Sequence, residues 1–280
     1  MSNRRVVLVT GSSSGIGLAT SLAFARAGDT VIATMRDPRR SAQLIAAANS
    51  ARLAVQVRAL DVTSDASVEA AFSSVVGEYG QVDVVVNNAG IGIPGTLEDL
   101  EMADIMRSLE VNFLGVARVT KAALPIMRKL GGGRIIAVSS TAGLVGTPFN
   151  DAYCAAKHAL EGLFESLQPV AASLGVYVTL VEPGPTATGF YDPSKIPVSA
   201  DPAIAALQVR LRRIVEPMMA RGQPAEEVAD VIVEVAGRDE PRLRYQSSRL
   251  AVRLIEGKIA DLDGETVTSA SRRLFAPTNP

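Results

Sequence analysis

Val6-Val7-Leu8-Val9-Thr10-Gly11-Ser12-Ser13-Ser14-Gly15-Ile16-Gly17, residues 6–17, is the stretch whose reading decides the fold. A short β-branched run reads as a buried strand, a glycine pattern GxxxGxG follows, and a helical pattern opens at once over 15–27. The glycines let the backbone turn tightly and approach a pyrophosphate, and the free N–H groups and dipole of a helix start favour anions. A glycine pattern alone is also what an ordinary strand-to-helix turn looks like. Between a strand and a helix it predicts a dinucleotide site, with Gly11, Ser13, Ser14, Gly15, Ile16 and Gly17 around the phosphates.

Outward from this turn the same alternation continues. Strands are expected at 5–10, 30–34, 54–60 and 82–87, with helices at 15–27, 38–49 and 65–79 between them. A long helical region over 98–130, a strand at 134–140, a helix over 152–174 and a strand at 176–182 follow. Repeated βαβ units mean a parallel sheet, so the expected fold is α/β: one domain over 1–280, a Rossmann-type doubly wound sheet with helices on both faces. Between 189 and 224 the pattern loosens around Pro193, Pro197, Pro202, Pro217 and Pro224, with a basic helical piece QVRLRR; an excursion beyond a strand's carboxyl end is where a substrate lid would sit. A helix opens at Pro224, and the tail 249–275 reads as a helical extension. Pro169 should kink or thin the last turns of the 152–174 helix.

Composition narrows the function. At 280 residues, 48% apolar and 20% charged, the chain can bury a sizeable core. A formal charge of −1 gives no field for nucleic acid or an anionic membrane, and no apolar run approaches the ~18 residues of a membrane span. Cytoplasm is the expected location. One cysteine, Cys154, and one histidine, His158, exclude internal disulfides, leave no Cys/His zinc cluster and argue against a Ser-His-Asp hydrolase. No metal is expected.

The chemistry is expected in Asp151-Ala152-Tyr153-Cys154-Ala155-Ala156-Lys157. One helical turn apart, Tyr153 and Lys157 share a face, and a lysine charge favours the phenolate of a tyrosine that otherwise titrates near ~10. The apolar stripe Ala156, Leu160, Leu163, Leu167, Val170, Leu174 beside them is core or subunit interface. Where the second strand ends, an acid would bind a ribose 2′-hydroxyl and repel a 2′-phosphate; Thr34-Met35-Arg36 stands there instead, so Arg36 favours NADP(H) over NAD(H). Asp61-Val62, Asn87-Asn88-Ala89-Gly90 and Ser139-Ser140 fall at the carboxyl ends of later strands, where ligands bind.

TGSSSGIG, DV, NNAG, the asparagine of LEVNFLG, the paired serines, YCAAK and EPGPTAT together resemble the short-chain dehydrogenase/reductase family end to end. Within it, ATMRD, PFNDAYCAAKHALEGLFESL and PAEEVADV with PRLRY resemble the estradiol 17β-dehydrogenase and retinol dehydrogenase branch. The resemblance implies Tyr153 as proton donor or acceptor, Lys157 lowering its pKa and binding the nicotinamide ribose, Ser140 as carbonyl polariser and Asn112 in a water relay. It further implies Asp61 and Val62 at the adenine, Asn88 at the adjacent ribose, and Thr186 and Thr188 at the nicotinamide carboxamide and phosphates, with Ala89, Gly90, Pro183 and Gly184 also binding the cofactor. In the family, helices matching 98–130 and 152–174 pair across a two-fold axis, so a homodimer or homotetramer is expected.

The likeness departs where substrate is recognised. Estradiol dehydrogenases carry a lid histidine and a C-terminal glutamate for the phenolic end of the steroid; Arg213 and Arg273 fall there in this chain, and His158 is elsewhere. The expected substrate is an apolar carbonyl or alcohol. The competing readings are a 3-oxoacyl-thioester or polyketide ketoreductase and a non-catalytic NADP(H)-binding sensor.

Overall fold

The computed structural model describes residues 4–258, 261, 268, 269, 272 and 273. Its elements run β1 (Val6–Thr10), α1 (Gly15–Arg26), β2 (Thr30–Met35), α2 (Ala42–Ser50), β3 (Gln56–Ala59), α3 (Asp65–Tyr79), β4 (Val84–Asn87), α4 (Met102–Leu109), α5 (Gly115–Lys129) and β5 (Gly133–Val138). Then come α6 (Asp151–Ala172), β6 (Val176–Glu182), α7 (Pro202–Ala220), α8 (Ala225–Ala236), β7 (Arg244–Gln246) and α9 (Arg249–Ile255). The strands form one sheet in the order β3-β2-β1-β4-β5-β6-β7, every pairing parallel.

The strand sequences are apolar throughout because both faces are covered, and the pleat sorts them. Val6 and Leu8 of β1, Val85 of β4 and Ile135 and Ala137 of β5 join Leu160 and Phe164 of α6 in one core layer. Val7, Val9, Val84, Val86, Ile136 and Val138, the alternate residues, pack with Phe24 of α1 and Val228 and Ile232 of α8 in the other. Successive side chains of a strand point to opposite faces, so each strand serves both layers.

The local structure adds detail to the sequence expectation and in places departs from it. The region 98–130 is not one helix: α4 and α5 are joined by a π-helical turn over Glu110–Leu114, which holds one extra residue within the winding. Helix α6 runs through Pro169 to Ala172, and the carbonyl of Pro169 is taken up by the Ser173 hydroxyl at 2.9 Å. The loosened stretch 189–224 holds the expected helical piece QVRLRR within the 19-residue helix α7, which is longer than that piece and capped by Asp201, whose carboxylate accepts from the backbone N–H of Ala203 and Ile204. β7 was not expected, being three residues long; of the tail 249–275, α9 is helical, Lys258 and Asp261 follow it outside any helix, residues 268, 269, 272 and 273 are helical, and the rest lies outside the described residues. The α6 stripe divides: Ala156 and Leu160 are fully buried, whereas Val170 and Leu174, like Met102 and Met106 of α4, are exposed. Among the described residues no helix is long and apolar enough to cross a membrane.

Candidate active site

The loop after β1 is built around backbone contacts that only glycine permits. Gly11 has φ +69°, and a Cβ there would lie 2.7 Å from Cα of Ala89; at Gly17 it would meet Nδ2 of Asn88 and the carbonyl of Gly11, both at 2.4 Å. Thr10 locks the same junction, its hydroxyl accepting from the N–H groups of Asn88 (3.0 Å) and Ala89 (3.1 Å), while the Asn88 amide donates to the carbonyls of Thr10 (2.9 Å) and Gly11 (3.1 Å). Helix α1 then starts without a side-chain cap: Ser14 is extended, at φ −164° and ψ 176°, and makes no capping bond. Its first-turn N–H groups are left for a ligand, which suits an anion. An open cleft of about 760 Å³ faces them, lined among others by Ser14, Gly15, Thr186, Thr188 and Tyr191. Uncapped N–H groups, side-chain-free approach and hydroxyls on the far wall fit a pyrophosphate.

The other predicted cofactor residues border this loop with differing local duties. Met35 is buried with Leu22 and Leu44, so the first exposed position after β2 is Arg36; Asp37 is turned to Arg39 at 2.9 Å, which with Arg40 and Arg36 nearby holds its carboxyl below the usual range. The Asp61 carboxylate closes its own turn, accepting from the Thr63 N–H (3.0 Å) and hydroxyl (2.8 Å), and Val62 packs against Gly115. After β6, Pro183 is buried, Thr186 donates to the carbonyl of Gly184 at 2.9 Å, and Thr188 lies against Gly15, 3.4 Å from a Cβ placed there. Gly90 abuts Asn112, whose Oδ1 would be 2.9 Å from a Cβ at that position.

Tyr153, Lys157, Ser140 and Asn112 converge beyond β4 and β5. Tyr153 and Lys157 are both buried on α6, with the Lys157 Nζ 5.6 Å from the Tyr153 ring centroid and donating to the Val138 carbonyl at 2.7 Å. Burial raises the Tyr153 phenol well above its ordinary value, the hydrogen bond with Ser140 partly offsetting it. Burial also pushes Lys157 down to about 8, with Glu161 acting against the shift. Asn112 sits inside the π-helical turn, fully buried; its Oδ1 accepts from the Ile91 N–H (2.9 Å), and its amide donates to the Ile91 carbonyl (2.9 Å) and the Ser108 hydroxyl (3.1 Å). Phe190 covers the opening: its ring centroid is 5.5 Å from that of Tyr153, and it closes over Gly92. Arg213 and Arg273 are both exposed, whereas Arg212 turns into α7's own loop, donating to the Ile196 carbonyl at 2.9 Å.

Sequence reasoning passed over a buried polar cluster beneath this site. Glu161, one turn beyond Lys157, accepts from the Ser139 hydroxyl and from Arg244 Nε at 2.8 Å. Glu182 is fully buried at the end of β6; its Oε2 accepts from Gln246 at 2.7 Å, while Oε1 has no hydrogen bond and lies 3.4 Å from Arg244 Nε, whose single N–H is directed to Glu161. Burial raises Glu182 to about 7. The i, i+4 continuation from Lys157 to Glu161 and the acid closing the apolar strand VYVTLVE were the available signals.

Residues 5–196 match the family model described as short chain dehydrogenase. The chain is similar to retinol dehydrogenase 8 of Bos taurus, 37% identical over 97% of this chain and 90% of that one. It is also similar to human 17-beta-hydroxysteroid dehydrogenase type 1, 36% identical over 97% of this chain and 86% of that one. Among solved structures, a short-chain dehydrogenase/reductase of Burkholderia phymatum in complex with NAD aligns with a TM-score of 0.81 at 25% identity, covering 99% of this chain and 98% of that one.

The raised carboxyl of Glu182 has a measurable consequence. With a folded value of about 7 against an ordinary 4.5, the folded chain keeps a proton that the unfolded chain releases, so stability falls as pH rises from about 4.5 to about 7. Glu182→Gln cannot release that proton, and its unfolding midpoint is expected to decline less than the wild type's across that window. Thermal unfolding of both at matched ionic strength checks this; parallel curves would refute it.

Proposed function

This chain belongs to the short-chain dehydrogenase/reductase family, in the branch of the retinol and 17β-hydroxysteroid dehydrogenases, and on that premise we propose that it is an NADP(H)-dependent oxidoreductase for an apolar carbonyl or alcohol. The observation that carries the reading is the buried Tyr153–Lys157 pair, with the Ser140 hydroxyl close enough to ease ionisation of the Tyr153 phenol, at the sheet edge where the glycine loop opens. The nicotinamide supplies or accepts the hydride when bound. In the reducing direction, Tyr153 gives its hydroxyl proton to the developing alkoxide while Ser140 donates a hydrogen bond to the same oxygen. A neutral, strongly held phenol is suited to donating, and the Lys157 ammonium stabilises the phenolate left behind. Asn112 fixes the Ile91 backbone at the wall of the site and takes part in a relay through water. Phe190 and the excursion carrying α7 form an apolar lid that keeps water from the reacting oxygen.

The same reading makes the molecule at least a dimer, with the exposed Met102 and Met106 of α4 and Val170 and Leu174 at the end of α6 as the surface that a second copy covers. Sedimentation at micromolar concentration should give a dimer or tetramer; a monomer contradicts it.

Tyr153→Phe should keep the fold and dinucleotide binding but lower kcat by ~10²–10⁴-fold, the usual worth of general acid catalysis. Steady-state kinetics with a ketone and aldehyde panel checks this, and near-normal turnover would overturn the role given to Tyr153.

The cofactor choice rests on Arg36, because Met35 is buried and an acid there would be out of contact with solvent. A charge-assisted hydrogen bond is worth ~1.5–3 kcal/mol, so Arg36→Ala should weaken NADP(H) binding roughly ten- to a hundredfold and leave NAD(H) little changed. Calorimetric titration with both cofactors decides; wild-type binding of NAD(H) as tight as NADP(H) would refute the assignment.

A further inference from the structure

Lys157 is held at the top of a charge cluster that proton transfer by Tyr153 does not itself require. Two neighbouring residues at the end of β5 anchor it: the Val138 carbonyl accepts from Lys157 Nζ at 2.7 Å, and the Ser139 hydroxyl donates to Glu161 Oε1. Arg244 on β7 takes the second carboxylate oxygen of Glu161 at 2.8 Å. Gly143 presses on it from the remaining side: a Cβ there would come within 3.0 Å of Glu161 Cγ and 2.8 Å of Ser139 Oγ. Both oxygens and the stem of Glu161 are therefore fixed, in a side chain 5% exposed.

A buried ammonium is sustained only by a nearby anion, and a buried anion is retained only if its oxygens are occupied. On α6, Tyr153 lies beside Lys157 and Glu161 is the charged group that acts on it; Glu161 in turn meets Arg244 on β7, which is 3.4 Å from Glu182 at the end of β6, and the Ser139 hydroxyl after β5. Glu165 also pairs with Arg244, at 2.6 Å, but its side chain is 65% exposed. We propose that Glu161 is a positioning residue for the reaction: the buried counter-charge of Lys157, fixed by Ser139 and Arg244 so that the ammonium stays charged beside Tyr153. This rests on the reading of Tyr153 and Lys157 as the catalytic pair.

The experiment follows Lys157 itself. The chain has only Lys121, Lys129, Lys157, Lys195 and Lys258, so side-chain-labelled lysine gives a spectrum in which Lys157→Arg assigns the Lys157 signal and its pH titration can be read without cofactor. In Glu161→Gln the midpoint of Lys157 should fall by roughly one pH unit, the usual size of a lost opposite charge at this range. The high-pH limit of kcat/KM should move down with it, and Glu161→Asp, which keeps the charge, should restore both toward wild type. If Glu161→Gln does not fold, Glu182→Gln is measured instead and should move the midpoint the same way by less, since Glu182 acts through Arg244. An unmoved Lys157 midpoint overturns the inference, as does a moved midpoint with an unmoved kcat/KM limit. Should Tyr153→Phe retain turnover, the catalytic reading fails, and the titration of Lys157 separates that failure from this one.

Discussion

Parallel pairing is the constraint from which the remaining structure follows. With the seven strands of the described residues all running the same way, every carboxyl end lies on one edge of the sheet, and the segments leaving β1, β2, β4, β5 and β6 must share a narrow space there. That crowding is relieved at Gly11 and Gly17, where backbone meets the residues after β4 with no side chain between. It is exploited after β5 and β6, where Ser140, Pro183 and Thr186 line one rim and Tyr153 and Lys157 reach it from α6. A sheet of mixed direction would divide these groups between two edges.

The strand-to-helix alternation was legible in the sequence because parallel strands buried on both faces are written as uninterrupted apolar runs, and helices as amphipathic ones. The positions of the glycine loop, Ser140, Tyr153 and Lys157 were legible because each lies at a fixed point of that alternation. β7 was not, since three residues carry no period. The π-helical turn was not, because Glu110-Val111-Asn112-Phe113-Leu114 satisfies an α-helical pattern as well, and only the packing of Asn112 onto Ile91 shows the added residue. The charge cluster was hidden for a third reason: Glu161 and Arg244 are 83 positions apart in the chain, and nothing local pairs them.

Burial is what makes the site's electrostatics strong, and it acts on a phenol, an ammonium and a carboxyl alike. It lifts the phenol of Tyr153, lowers the ammonium of Lys157 and lifts the carboxyl of Glu182. Each shift disfavours charge, so charge at the site must be held by partners: the Val138 carbonyl for Lys157, and Ser139 with Arg244 for Glu161. The fold thus concentrates polar groups at one edge and accepts the desolvation, while the sheet faces carry the apolar burial that keeps the chain folded.

The π-helical turn at Glu110–Leu114 makes this part of the chain sensitive to counting. Each residue of an α-helix advances the side-chain direction by about 100°, and the π-turn takes up one residue beyond that count, so deleting one there would close it to regular winding while α4 and α5 kept their phase. Asn112 would then lose the place from which it holds Ile91, although no residue type had changed. Drift among descendants of this chain can therefore exchange side chains around Asn112 far more freely than it can alter the number of residues between α4 and α5.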